Sequence, residues 1–327
     1  MTAKPLPIEY QAALEGAAWY EIPQPGCLSI RGRDRASYLQ RQTTHDVRLL
    51  AENRGLPTIL TSPNARILDV LYLVPGPEDS IIALTLPGMG SNTSAYFKKR
   101  IFFMDQVTVE DQSAAYTQID LIGPCRADIL GQLGFTKSPE ADEILTVEWE
   151  SQPVYLLCNS APLWAGWRLL IPVTVVPTVK SILEETGTPR LTDEIYHLLH
   201  LESGIPQVQS ELNDDFTPLE TGLQAAVSDS KGCYTGQEVL ARQITYDKVT
   251  QKLCGLHLSE LPLADQTIWH AGKQIGRVTS MGISPRFGPI GLAMIKRPYF
   301  EPGTQVLVGA QLEQGQDADV CSVPFQL

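Results

Sequence analysis

The stretch Lys231-Gly232-Cys233-Tyr234-Thr235-Gly236-Gln237-Glu238, followed by Val239-Leu240-Ala241-Arg242, holds the residue types and spacing that point most directly to chemistry. Two glycines bracket a cysteine, and glycine permits a left-handed bend or a close backbone approach. The run from Gln237 to Arg242 reads as a helix, with Glu238 and Arg242 at the spacing of an exposed i, i+4 ion pair. Cys233 then stands just ahead of a helix N-terminus, with Lys231 close by. Aligned amides and a neighbouring cation both lower a thiol pKa, so the pattern predicts a thiolate. The competing reading is a buried structural cysteine in a glycine turn.

A carboxylate gives the second signal. Thr192 to Glu202 reads as a helix capped by Thr192, with Asp193 and Glu194 at its positive end. Ile195, Leu198, Leu199 and Glu202 fall at i, i+3, i+4 and i+7, so Glu202 continues the apolar stripe. It also sits at the negative end of the helix dipole, before Gly204 and Pro206 end the helix. A charge so misplaced either serves a ligand, curls out to solvent or pairs with a distant arginine. Asp69, inside the strand-like run Ile67 to Val74, is an acid or base candidate or an outward solvated residue. His197 and His200 lack the Glu of a His-Glu-x-x-His motif and a nearby cysteine, so no metal site is expected. Gly88-Met89-Gly90 lacks the rest of a dinucleotide fingerprint.

The elements that must hold these groups follow from patterning. Strands are expected at Cys27–Ile30, Thr58–Thr61, Ile67–Val74, Ile81–Leu86, Val107–Glu110, Tyr116–Ile122 and Gly166–Ile171. Leu145–Glu150 and Val154–Cys158 form a hairpin pattern. Helices are expected after Asp34 as cap, over Asn92–Phe103, over Pro124–Gly131, and over Val175–Glu185, the last weakened by Pro177. Hairpins interleaved with helices favour an α+β architecture over a doubly wound parallel sheet. From about Gln251, short β runs alternate with Gly and Pro turns, which reads as a separate small β-barrel. The expected domains are therefore 1–248, with two interleaved subdomains, and 249–327.

The 327-residue chain carries 25 basic and 37 acidic residues, a net charge of −12. That disfavours an extended nucleic-acid surface, which needs clustered cations. No apolar run approaches the length of a membrane span, so no membrane partner is expected. Residues 1–7 show no targeting pattern, and a reducing, cytoplasmic setting is the default. The six cysteines are too dispersed for a disulfide framework or a Cys-x-x-Cys site.

Lys-Gly-Cys-Tyr-x-Gly-Gln-Glu followed by Arg resembles the signature of the YgfZ-type folate-binding proteins, relatives of the T protein (aminomethyltransferase) of the glycine cleavage system. Tyr38-Leu39-Gln40 through Asp46-Val47, Leu201-Glu202-Ser203-Gly204, Pro218-Leu219-Glu220 and Thr279 to Ile295 are similar to other family segments. The resemblance implies a T-protein-like fold, with ferredoxin-like β-α modules around a central channel and a C-terminal barrel. It implies tetrahydrofolate, or a one-carbon derivative, as ligand, with Glu202 on the pterin and Glu220 and Asp69 as further contacts. It implies catalytic roles for Cys233 and Lys231 within the motif of Gly232, Tyr234, Gly236, Gln237, Glu238 and Arg242. The implied function is support of iron–sulfur client enzymes, including ones that modify tRNA. The alternatives are a folate-dependent aminomethyl or other one-carbon transferase, and a non-catalytic adaptor. One departure bears on that choice. The T protein carries paired aspartates on a strand, one of which supports methylene transfer, and the pair here is Asp69 and Val70.

Overall fold

The computed structural model describes residues 6–262, 267–311 and 315–326. Most of the N-terminal targeting reading, residues 1–5, lies outside them. The chain opens with helix α1 (Ile8–Glu15) and strands β1 (Ala18–Glu21) and β2 (Gly26–Arg31), followed by helix α2 (Arg35–Gln42). Strands β3 (Leu56–Thr61), β4 (Ile67–Pro75) and β5 (Ile81–Thr85) precede helix α3 (Gly90–Lys98). Strands β6 (Thr108–Asp111), β7 (Tyr116–Ile122), β8 (Ile144–Trp149), β9 (Gln152–Leu157) and β10 (Trp167–Pro172) follow. Then come helices α4 (Val176–Glu185), α5 (Asp193–Ser203) and α6 (Gln237–Thr245). The remaining strands are β11 (Gln251–Leu258), β12 (Thr267–His270), β13 (Lys273–Ser284), β14 (Gly288–Lys296), β15 (Gln305–Val308) and β16 (Gln316–Cys321).

These strands make two antiparallel five-stranded sheets and one barrel. One sheet has the order β3-β4-β5-β2-β6 and the other β1-β7-β10-β9-β8. The period-2 alternation of a strand gives each sheet two faces. Leu71 and Leu73 of β4 pack with Leu28, Tyr38 and Phe97 under α2 and α3. Leu169 and Ile171 of β10 pack with Val179 and Leu183 of α4. The opposite faces meet each other: Tyr72, Val74, Ile82 and Leu84 pack against Tyr155, Leu157 and Leu170. The result is helix, sheet, sheet, helix, an α+β architecture as the residue pattern implies.

β11, β14, β13, β12, β15 and β16 close into a six-stranded barrel, which removes exposed strand edges. Its interior is filled by Leu256, Ile268, Ile275, Val278, Ile295 and Val320. Leu201 of α5 packs on Ile290, Leu292 and Phe325, joining the barrel to the sheets.

Several local expectations are corrected. α3 stops at Lys98, so residues 99–103 are not helical. Only a 3-10 turn, Arg126–Ile129, forms within 124–131. Asp34 precedes α2 but does not cap it; its Oδ2 accepts the Gln106 N–H at 2.9 Å instead. Pro177 lies in the first turn of α4, where a missing N–H costs nothing. Helix α1 and strands β1, β12 and β16 have no counterpart in the sequence reading. β8 and β9 turn through Glu150 and Ser151 with φ of 51° and 61°, the twist a two-residue hairpin needs without the usual glycine.

Candidate functional site

Between the inner sheet faces and α5 lies a cavity of about 170 Å³. Val70 and Tyr72 of β4, Leu84 of β5, Arg168 of β10, and Tyr196 and His200 of α5 line it with Tyr20 and Trp164. No carboxylate is among its lining residues.

The polar wall is built by cross-strand register. Arg168 stands directly opposite Asp120 of β7, and both are buried. Arg168 Nε and Nη2 donate to the two Asp120 oxygens at 2.6 and 2.8 Å, and Nη1 donates to Gln118 at 3.2 Å. Tyr196 Oη donates to Asp120 at 2.7 Å. Such a buried bidentate pair is neutral overall and tolerates loss of neither partner. The Arg168 guanidinium lies 4.3 Å from the Trp164 ring centroid. Tyr20 and Tyr196 stack at 3.8 Å, and His200 lies 4.3 Å from Tyr196. The cavity therefore offers aromatic faces and a pre-neutralised arginine.

His200 is the exception to this satisfaction. Its Nε2 is buried without a hydrogen-bond partner. Burial, with the Arg168 charge adding to it, pushes the imidazole pKa down to about 3. The ring is neutral at physiological pH. A histidine protonated near 6.5 when unfolded but not when folded adds stability above 6.5, and that stability is lost as pH falls from 6.5 to about 3. Urea unfolding should show His200→Phe closing its stability gap to wild type, or overtaking it, across that window. A gap that does not change with pH would contradict the assignment.

The acids named from the sequence lie elsewhere. Asp69 and Val70 are strand neighbours and face opposite ways. Val70 faces the cavity, whereas Asp69 is fully buried on the helix side. Asp69 Oδ1 accepts the Val70 and Leu86 N–H groups at 2.8 and 3.0 Å, and Oδ2 accepts the Thr93 hydroxyl. Burial raises its pKa to about 7. Glu202 is buried, as its place in the stripe implies, but not on the cavity wall. It neither curls out nor pairs with an arginine: its Oε1 accepts Tyr10 Oη at 2.7 Å and Ser284 Oγ at 2.6 Å. Those bonds tie α1, α5 and the barrel together. Glu202→Ala leaves two buried hydroxyls without an acceptor, and should cost about 1–3 kcal/mol for each in urea unfolding; wild-type stability would refute this. Glu220 also lies off the wall, accepting the Thr217 N–H at 2.8 Å and pairing with Arg66 at 3.4 Å.

The cysteine motif is a surface feature that docks on the β3–β4 turn. Gly236 has φ of 85°, and a Cβ there would lie 2.8 Å from the Ser62 carbonyl oxygen. Thr61 Oγ1 donates to the Thr235 carbonyl at 2.7 Å. Tyr234 packs with Ala65 and Leu240, and Cys233 is exposed. The left-handed bend falls at Gly236 and not at Gly232. α6 begins at Gln237, beyond Tyr234, Thr235 and Gly236. Lys231 does not point its charge outward. It is buried, and its Nζ donates to the Thr43 and His45 carbonyls at 2.6 and 2.8 Å. Burial lowers its pKa to about 8. Gln237 Nε2 donates to the Lys231 carbonyl at 3.4 Å, and Glu238 pairs with Arg242 at 2.7 Å in the open. None of these motif residues lines the cavity.

Arg168 and Asp120 were missed by sequence reasoning. Each is the one charge in an otherwise apolar or neutral strand, and that misfit was the available signal.

Comparison with known proteins agrees with this arrangement. Residues 3–231 match the GCVT N-terminal domain, and residues 251–326 match the glycine cleavage T-protein C-terminal barrel domain. The chain is 30% identical over 301 residues to a protein of Arabidopsis thaliana named a putative transferase, chloroplastic, covering 91% of this chain and 69% of that one. It is 28% identical to an aminomethyltransferase of Listeria welshimeri, covering 97% and 88% of the two chains. An aminomethyltransferase of Moorella thermoacetica is 26% identical, with 98% and 91% covered. The solved glycine cleavage system aminomethyltransferase T of Bartonella henselae superposes with a TM-score of 0.84 at 18% identity, covering 97% of this chain and 88% of that one, which shows a shared fold. The chain belongs to the glycine cleavage T-protein family.

Proposed function

We propose that this protein binds a reduced folate in the cavity and acts as an accessory factor for iron–sulfur enzymes, without catalysing methylene transfer. The observation that carries the reading is Val70 on the cavity wall. The T protein uses an acid of this strand pair for transfer, and here the cavity-facing member is apolar. A positioned general acid or base is worth about 10²–10⁴ in rate. Asp69 does not replace it, because its oxygens already accept two backbone N–H groups and the Thr93 hydroxyl.

The residues present suit a pterin-like ring. Tyr20, Tyr72, Trp164 and Tyr196 offer flat apolar faces, and the unpartnered His200 Nε2 offers one polar contact. Arg168, already held by Asp120, provides donors without net charge. A bound reduced folate would supply a ring able to carry a one-carbon unit. The protein's part is to exclude water and orient the ring. The cysteine motif then serves the outer surface: Cys233 and the exposed Glu238–Arg242 pair stand where a client protein can reach them.

The second reading, a one-carbon transferase, is favoured by the names of the Listeria and Moorella relatives. Two assays separate the two. With aminomethylated lipoyl carrier protein and tetrahydrofolate, transfer should be at least about 100-fold below that of a true aminomethyltransferase. In cells lacking the protein, wild type should restore an iron–sulfur tRNA-modifying enzyme and Cys233→Ala should not, although the variant folds normally. Transfer at ordinary enzymatic rates, or full rescue by Cys233→Ala, would overturn the accessory reading.

A further inference from the structure

Beyond the end of α3 the chain presents an apolar tip. Phe102, Phe103 and Met104 are 65%, 97% and 73% exposed. Three large apolar side chains in succession are a surface feature that calls for a partner. The turn that carries them is built. The Asp105 N–H donates to the Phe102 carbonyl at 2.9 Å, and the Phe102 N–H donates to Asp105 Oδ2 at 3.1 Å. Arg41 Nη2 donates to both Asp105 oxygens at 2.8 Å. Ile101 and Val107, on either side, pack against the core under α2 and α3. The tip side chains are therefore held outward by a fixed frame.

The residues leading into the tip are cationic. Lys98, Lys99 and Arg100 are all exposed, and among the described residues none of them forms an ion pair. Lys98 lies near Asp111, whose carboxyl is pushed up by burial but brought below its usual range by hydrogen bonds from Ser113 and Ser91, with the Lys98 charge adding to them. The Arg100 guanidinium lies 3.4 Å from the Tyr96 ring centroid. In a chain of net charge −12 this is a local reversal of sign.

We propose that this turn docks the protein on a bilayer surface bearing anionic headgroups, with Phe102, Phe103 and Met104 entering the interface and Lys98, Lys99 and Arg100 meeting the phosphates. A projecting apolar tip suits a layer that deforms around it, and the adjacent cations match the negative potential of such a surface. No helix among the described residues is long and apolar enough to cross a membrane; the contact proposed is with the bilayer surface, which the expectation of no membrane partner, resting on span length alone, does not address. It weakens with salt as the headgroup field is screened. Each cation near an anionic surface is worth about 5-fold in partitioning, so the three together are worth about 100-fold.

The test is flotation of the full chain with vesicles of phosphatidylcholine alone or mixed with phosphatidylglycerol. Wild type should float with the mixed vesicles and stay behind with phosphatidylcholine. Lys98→Gln/Lys99→Gln/Arg100→Gln should float about 100-fold less well, and Phe102→Ser/Phe103→Ser/Met104→Ser should not float. Both variants should unfold at the wild-type urea midpoint, because the altered side chains are exposed. Wild type that ignores the mixed vesicles, or either variant floating as wild type does, overturns the proposal. A photo-crosslinker at position 103 that captures a protein while vesicles are ignored would overturn it in favour of protein docking.

Discussion

Asp120→Ala is expected to lower the unfolding free energy by about 3–5 kcal/mol, the range for removing one partner of a buried ion pair. Asp120 is fully buried and accepts from Arg168 Nε, Arg168 Nη2 and Tyr196 Oη. Without it, the Arg168 guanidinium stays between the two sheets as an uncompensated charge. Tyr196, which stacks on Tyr20, also loses its acceptor. The cost is specific to the broken pair. Asp120→Leu combined with Arg168→Met removes both charges and should recover much of the loss, because apolar replacements of a buried pair are often near neutral. Urea unfolding of the two variants checks this. A loss below about 1 kcal/mol for Asp120→Ala would mean that the pair is hydrated.

Val70→Phe is expected to reduce tetrahydrofolate affinity by at least about 100-fold. Val70 lies on the inner face of β4, with Ile59, Ile67 and Leu212 around it, and its side chain forms cavity wall. A phenyl ring there occupies the space that a pterin would need. Overpacking costs about 1–3 kcal/mol of stability, so cooperative unfolding must be checked in parallel. His200→Phe is the independent control. It removes both ring nitrogens, the unpartnered Nε2 among them, and adds less bulk to the cavity wall than Val70→Phe does, so it should weaken binding by about 10-fold, one neutral hydrogen bond.

Much of the fold is legible in the residues because the signals are local. Alternating apolar positions and turn chemistry mark β3, β4 and the β8–β9 hairpin, and short β runs between glycines mark the barrel. What is illegible is whatever depends on a distant partner. The apolar stripe of α5 marks Glu202 as buried, but its acceptor role depends on Tyr10 and Ser284, far away in the chain. Asp69 and Val70 are adjacent, and only the layers covering β4 decide which one meets the cavity. Arg168 and Asp120 lie on separate strands, so their pairing appears only with the register of β7 and β10. Lys231 reads as a companion charge for Cys233, yet two backbone carbonyls outside the motif hold it inside.

The central claim, a reduced folate held in a cavity that lacks the transfer acid, is tested most directly by calorimetric titration of tetrahydrofolate into wild type and Val70→Phe under anaerobic conditions. Saturable one-to-one binding by wild type, with none detectable for a cooperatively folded Val70→Phe, is the predicted result. Wild type that binds no tetrahydrofolate, or a Val70→Phe variant that binds it with wild-type affinity, would contradict the account.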